Sequence, residues 1–88
     1  MDMKEEVNRL IEKLKMERDE INLKIHLASM DAKKEYEEAE KKWRQVKAKA
    51  SEIADDAVET SDDFIVKTKI VGEELKETYN RISKRLSK

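Results

Sequence analysis

The sequence predicts an all-α protein, an antiparallel coiled coil of long, nearly straight amphipathic helices. Three observations predict it. Steps of three or four residues lead from Val7 to Leu86 along one helix face. They pass through Leu10, Leu14, Arg18, Ile21, Ile25, Ala28, Ala32, Tyr36, Ala39, Trp43, Val46, Ala50, Ile53, Ala57, Ser61, Phe64, Thr68, Val71, Leu75, Tyr79 and Ile82. Only Arg18, Ser61 and Thr68 are polar among these stations, and an apolar seam at helical period has to be buried against other helix. Second, Pro is absent and Gly occurs once, at Gly72, so the two strongest helix breakers scarcely interrupt the chain. Third, 47% of residues are charged, which places a solvated face opposite the seam. A disordered polyampholyte would not hold its apolar residues in phase over this length.

The first helix is expected over about 3–58. Asp2 is a candidate N-cap, and Glu5 three residues later completes a capping-box pattern. Thr60-Ser61-Asp62-Asp63 reads as a hinge over 59–62 and a restart, because Ser, Thr and Asp side chains accept the free amides of a first turn. Ser29-Met30-Asp31 is a weaker candidate of the same kind. The last helix is expected over about 62–87, with Lys84, Arg85 and Lys88 where cations suit the C-terminal dipole. The seam advances about 3.6 residues per step, between the periods of left- and right-handed supercoils.

Eighty-eight residues make at most one domain, 1–88, with little volume for a core. A lone helix cannot bury its own seam, which leaves three closures open. A single helix of about 130 Å could pair with a second copy, position i against 89−i, setting Val7 on Ile82 and Ala39 on Ala50. The chain could instead turn near 59–62, bringing Tyr79 to Trp43 and Leu75 to Val46, with Glu73, Glu74 and Glu77 facing Lys47, Lys49 and Arg44. Or both breaks are real and the chain is a three-helix bundle. Residue size favours the first closure. Charge favours the second, because the first stacks Lys41, Lys42, Arg44, Lys47 and Lys49 near their own copies.

Twenty basic and 21 acidic residues leave a net charge of −1, without the basic excess of a bulk nucleic-acid or anionic-membrane binder. Zero Cys removes disulfides, thiol nucleophiles and cysteine metal sites. The first 20 residues are charged and amphipathic rather than a signal peptide, and no window approaches the 18 or so apolar residues of a membrane span. The expected location is the cytoplasm.

The candidate chemistry is thin. The basic run Lys41, Lys42, Arg44, Lys47 and Lys49 surrounds Trp43 and could meet phosphates and a base, but Trp43 lies on the seam, so its ring is expected in the core. The acids that follow, Glu52, Asp55, Asp56, Glu59, Asp62 and Asp63, read as a solvated block. His26 is expected at the edge of a helix interface. Leu23 stands where a Glu-x-x-His metal motif needs its carboxylate. Glu35, Glu37, Glu38 and Glu40 interleave with Lys33, Lys34, Lys41 and Lys42 at ion-pair spacing, so they do not resemble a dry acid–base site. Met16, Leu23, Leu27, Met30, Ile11, Ile65, Val66 and Ile70 lie off the seam and widen the apolar face at both ends. They hint at more than two helices there, or at a partner surface.

The segments Glu17-Arg18-Asp19-Glu20-Ile21, Leu23 to Lys33, Tyr36-Glu37, Glu40-Lys41-Lys42-Trp43, Val71-Gly72-Glu73-Glu74-Leu75 and Tyr79-Asn80-Arg81-Ile82 resemble a family of small bacterial coiled-coil proteins. Its members are typically hypothetical proteins, some named as stress-response proteins. The resemblance implies no catalytic residues. Tyr36 stands where the family pattern has Trp, and a Gly expected near the break is missing, which leaves the position of the turn open.

The expected function is therefore a non-enzymatic, self-associating coiled-coil protein with an interaction or stress-related role, without catalytic residues, cofactor or metal. Self-association, as a dimer or higher homo-oligomer, is assigned to Val7, Leu10, Leu14, Ile21, Ile25, Ala28, Ala32, Ala39, Trp43, Val46, Ala50, Ile53, Ala57, Phe64, Val71, Leu75, Tyr79 and Ile82. A protein partner would meet the charged faces. The alternatives are a peripheral lipid-binding amphipathic helix, whose polar face would be expected to carry more Lys and Arg than this one does, and a weak nucleic-acid binder through residues 41–49.

Overall fold

The computed structural model describes residues 3–55 and 59–86. Three helices form: α1 (Met3–Lys24), α2 (Met30–Ala54) and α3 (Asp62–Leu86), with a short 3-10 turn at Ile25–Leu27. No strand occurs among the described residues. The all-α class is as expected, and of the three closures it is the three-helix one that the chain adopts.

The helix expected over 3–58 is divided in two. Ser29 makes the division: its Oγ accepts the Ala32 N–H at 3.3 Å, and Asp31 sits in the first turn of α2, where a carboxylate suits the helix dipole. No residue from 25 to 29 forbids a helix. What tips the balance is packing, since helical stability in a short chain comes mostly from burying the apolar face, and folding at 25–29 lets one half of the seam cover the other. The described residues include no positive φ, so this turn needs no glycine.

The break expected near 59–62 is present. Helix α2 ends at Ala54, and Asp55 is extended with its N–H on the Glu52 carbonyl. Ser61 caps α3, its Oγ accepting the Phe64 N–H at 3.2 Å. Asp2, Asp56, Ala57, Val58, Ser87 and Lys88 lie outside the described residues, and with them the Asp2 cap and the Ala57 station.

The chain runs up, down and up. Helix α3 packs extensively against both other helices, whereas α1 and α2 touch each other much less. The bundle measures 43 × 22 × 17 Å with a radius of gyration of 14.0 Å. Its main core joins Leu14, Ile21, Tyr36, Ala39, Trp43, Val46, Leu75, Tyr79 and Ile82. A smaller core at the α2–α3 turn joins Val7, Ala50, Ile53 and Ile65. Helices α1 and α3 approach closely at Gly72, where a Cβ would lie 2.7 Å from Leu10 Cδ2.

Candidate interaction surfaces

The seam closes within the chain. Val7, Leu14, Ile21, Ala32, Ala39, Trp43, Val46, Ala50, Ile53, Leu75, Tyr79 and Ile82 are buried in the bundle. Leu10, Ile25, Ala28, Phe64 and Val71 are partly buried. The described residues assigned to self-association thus line the interior of one copy. Trp43, Val46, Leu75 and Tyr79 share a core as the hairpin closure expects. Val7 and Ile82, paired in the 89−i dimer, instead belong to different cores.

The off-seam apolar residues divide. Ile65 is buried and Ile11 packs against both cores, which is what a third helix around the seam requires. Met16, Leu23, Leu27, Met30, Val66 and Ile70 stay exposed.

A polar layer crosses the middle of the bundle. Arg18, on α1, donates from Nε to Glu40 Oε1 at 2.6 Å and from Nη2 to Oε2 at 2.9 Å. The side chains are only 27% and 23% exposed. Such a two-point pair is stronger and more directional than a lysine contact. It raises the Arg18 pKa and holds the Glu40 carboxyl below the usual carboxylate range. The guanidinium also lies over the Trp43 ring, 5.9 Å from its centre, at the limit of a cation–π contact. Tyr36 donates its hydroxyl to Asn22 Oδ1 at 3.0 Å. Burial, then the charge of Glu40, pushes its pKa up to about 12. The Tyr79 hydroxyl is buried and has no hydrogen-bond partner among the described residues. Burial chiefly pushes its pKa up, with Glu40 adding to the effect.

Two further ties hold α3. Lys69 Nζ reaches Glu6 Oε2 at 2.9 Å. Glu35 accepts from Arg81 Nε at 3.4 Å and faces Arg85 Nη1 at 2.9 Å. These replace the expected facing of Glu73, Glu74 and Glu77 with Arg44, Lys47 and Lys49. Glu35 and Glu40, expected to pair with lysines on their own helix, bind arginines of other helices. Their partners were hard to foresee, except that Arg18 occupies a seam station, where a buried cation calls for a carboxylate opposite it.

The basic run on α2 is exposed but splits between two sides. Lys41, Arg44 and Lys47 join Arg18, Glu37 and Glu40 around an open cleft of about 680 Å³ between α1 and α2. Lys42 and Lys49 do not line it. Trp43 is buried, as expected, with Arg18 over its ring, and it contributes to the lining of this cleft, so only a small part of it is open to a base. His26 corrects the expectation of an interface histidine: it is exposed in the 3-10 turn, because the helix ends just before it.

The ends of the bundle carry opposite charge. At the α1–α2 turn, residues 24–34 and 83–86 contain Lys24, Lys33, Lys34, Lys84 and Arg85 against the acid Asp31, and the adjoining Glu35 pairs with Arg85. At the other end, residues 3–6, 51–55 and 59–63 contain Glu5, Glu6, Glu52, Asp55, Glu59, Asp62 and Asp63 against the single base Lys4. The net charge of −1 conceals this polarity, which arises only when the two turns gather distant segments. No cluster of potential metal ligands occurs among the described residues, and no helix there is long and apolar enough to cross a membrane.

Comparison with protein-family models, with curated proteins and with solved structures finds no match to this chain.

Proposed function

We propose that this chain is a non-enzymatic interaction protein that self-associates end to end, the basic α1–α2 end of one copy meeting the acidic α2–α3 end of the next. The opposite charge of the two ends carries this reading. With the seam spent on the core of each copy, charge complementarity is the means of association the surface offers. A head-to-tail contact of this kind need not close on itself and builds open chains. Its strength falls with salt, because exposed charges are screened beyond about 8 Å at physiological ionic strength. A stress-related role, as the family resemblance implies, fits a protein whose assembly follows ionic conditions.

The test is sedimentation at low and high salt. The wild type should associate at low salt and dissociate as salt rises. K34E/K84E, which cancels the net positive charge of the basic end, and E52K/E59K, which removes most of the negative charge of the acidic end, should each associate much more weakly alone. Mixed, the intact acidic end of K34E/K84E should meet the intact basic end of E52K/E59K, which gives one-to-one pairs rather than long chains. A wild type that stays monomeric at low salt, or association that neither pair of substitutions weakens, would overturn the proposal.

A further inference from the structure

We propose that the basic end also docks on an anionic lipid surface, with Leu27 and Met30 as the inserting side chains and Leu23 beside them. These three are 81%, 71% and 75% exposed, whereas Ile21, Ile25, Ile82 and Leu86 at the same end are buried or partly buried. Leu27 belongs to the turn and Met30 opens α2, so both project where no helix continues. Leu23 lies in the last turn of α1, one residue before its end at Lys24.

Cations adjoin Leu27, whereas Leu23 lines a separate recess with Lys13, Met16, Glu17, Asp19 and Glu20. A recess of about 490 Å³ between the turn and the end of α3 is lined by Lys24, Leu27, Ala28, Arg85 and Leu86, among others, which places apolar and basic side chains in one surface. Lys33, Lys34 and Lys84 belong to the same end of the bundle. Exposed leucine and methionine at one end with lysine and arginine is the combination that partitions into a charged interface: the apolar groups enter the acyl boundary and each cation is attracted by the anionic headgroups.

The apolar residues favour lipid over a second copy as their occupant. Among the described residues of the acidic end that charge would bring to this surface, no large apolar residue is exposed in the turn or in the first turn of α1 or α3. The nearest, Val66 and Ile70, lie on the outward side of α3. Charge pairing between copies would leave Leu27 and Met30 facing polar groups, whereas a bilayer supplies both the negative charge and the apolar phase. This docking uses the turn of a folded bundle, unlike an amphipathic helix lying in the membrane plane, and needs no basic excess over the whole chain.

The experiment is co-sedimentation of the full chain with phosphatidylserine–phosphatidylcholine vesicles and with phosphatidylcholine vesicles alone, beside lipid-free sedimentation. Binding is expected to the anionic vesicles only, and to weaken with salt. L27N/M30N, at two exposed positions the core does not use, should lower the partition coefficient by about a hundredfold, roughly tenfold for each side chain, while leaving salt-sensitive association in solution unchanged. K34E/K84E should weaken both. Failure of wild-type binding to anionic vesicles, equal binding to the zwitterionic ones, or binding unaffected by L27N/M30N would overturn the lipid proposal, and lipid-free association reports on end-to-end assembly separately. Loss of lipid-free association in L27N/M30N without vesicle binding would make this end a copy-to-copy interface instead.

Discussion

Arg18 and Glu40 show how a polar residue survives on an apolar seam. Each is three-quarters buried, and each is held by two charge-assisted bonds. Removing one partner leaves the other without compensation. Arg18→Ala should cost about 1–2 kcal/mol in denaturant unfolding, the figure reduced because both groups retain some water. Arg18→Lys should recover only part of it, since an ammonium cannot span both oxygens. Tyr79 is the opposite case. Its hydroxyl is buried without a partner, so Tyr79→Phe should raise stability by about 1 kcal/mol, because it removes desolvation cost and no bond. A loss on that substitution would show that the hydroxyl is satisfied.

The same residues set the pH response. Glu40, held below its ordinary value of 4.5, contributes stability that is present above that value and lost as pH falls through its lowered pKa. Burial pushes Glu17 up. Its contribution has the opposite sign, present at low pH and lost as pH rises through the raised pKa, so it offsets part of the acid loss. Tyr36, raised from 10.0 to about 12, contributes fully below pH 10 and loses its contribution between about pH 10 and 12. Tyr79 shifts in the same direction. Thermal unfolding followed by circular dichroism should show a fall in melting temperature across that alkaline window. The fall should be much reduced in Y36F/Y79F, and an unchanged slope in that variant would remove the tyrosines as its cause.

At the scale of the elements, both turns depend on a serine. Ser29 and Ser61 each accept the amide three residues on, and replacing such a cap with Ala costs roughly 1 kcal/mol. Ser29→Ala has a further consequence, because this cap is the main local signal against one continuous helix through residue 29. It should destabilise the bundle by about that amount in urea titration, whereas no change would mean that packing alone makes the turn. Gly72→Val should also destabilise, by about 1–3 kcal/mol, because α1 and α3 meet where its side chain would go.

The helical class, the seam and the second turn were legible in the sequence because period and capping residues are local properties. The first turn was legible only as a weak cap, since nothing in residues 25–29 opposes a helix and the decision rests on whether one half of the seam finds the other. Ion pairs across helices were not legible: Glu40 has lysines within a turn of it, and only the fold chooses Arg18. Leu27 and Met30 stood out as off-seam residues, but Ile11 and Ile65 carried the same signal and went into the core. The division depends on which flank a third helix covers.

At the scale of the molecule, a nearly neutral chain becomes a polarised rod when two turns bring its basic and acidic stretches to opposite ends. The proposals of end-to-end assembly and of lipid docking both require that rod. They have no basis if the chain stays extended and spends its seam on a second copy. The decisive measurement is small-angle X-ray scattering at high salt, where association between ends is screened. The bundle predicts monomer mass and a radius of gyration close to the 14.0 Å of the Cα trace. A maximum dimension of about 130 Å at twice the chain mass, as a single helix at 1.5 Å per residue would give, would contradict it.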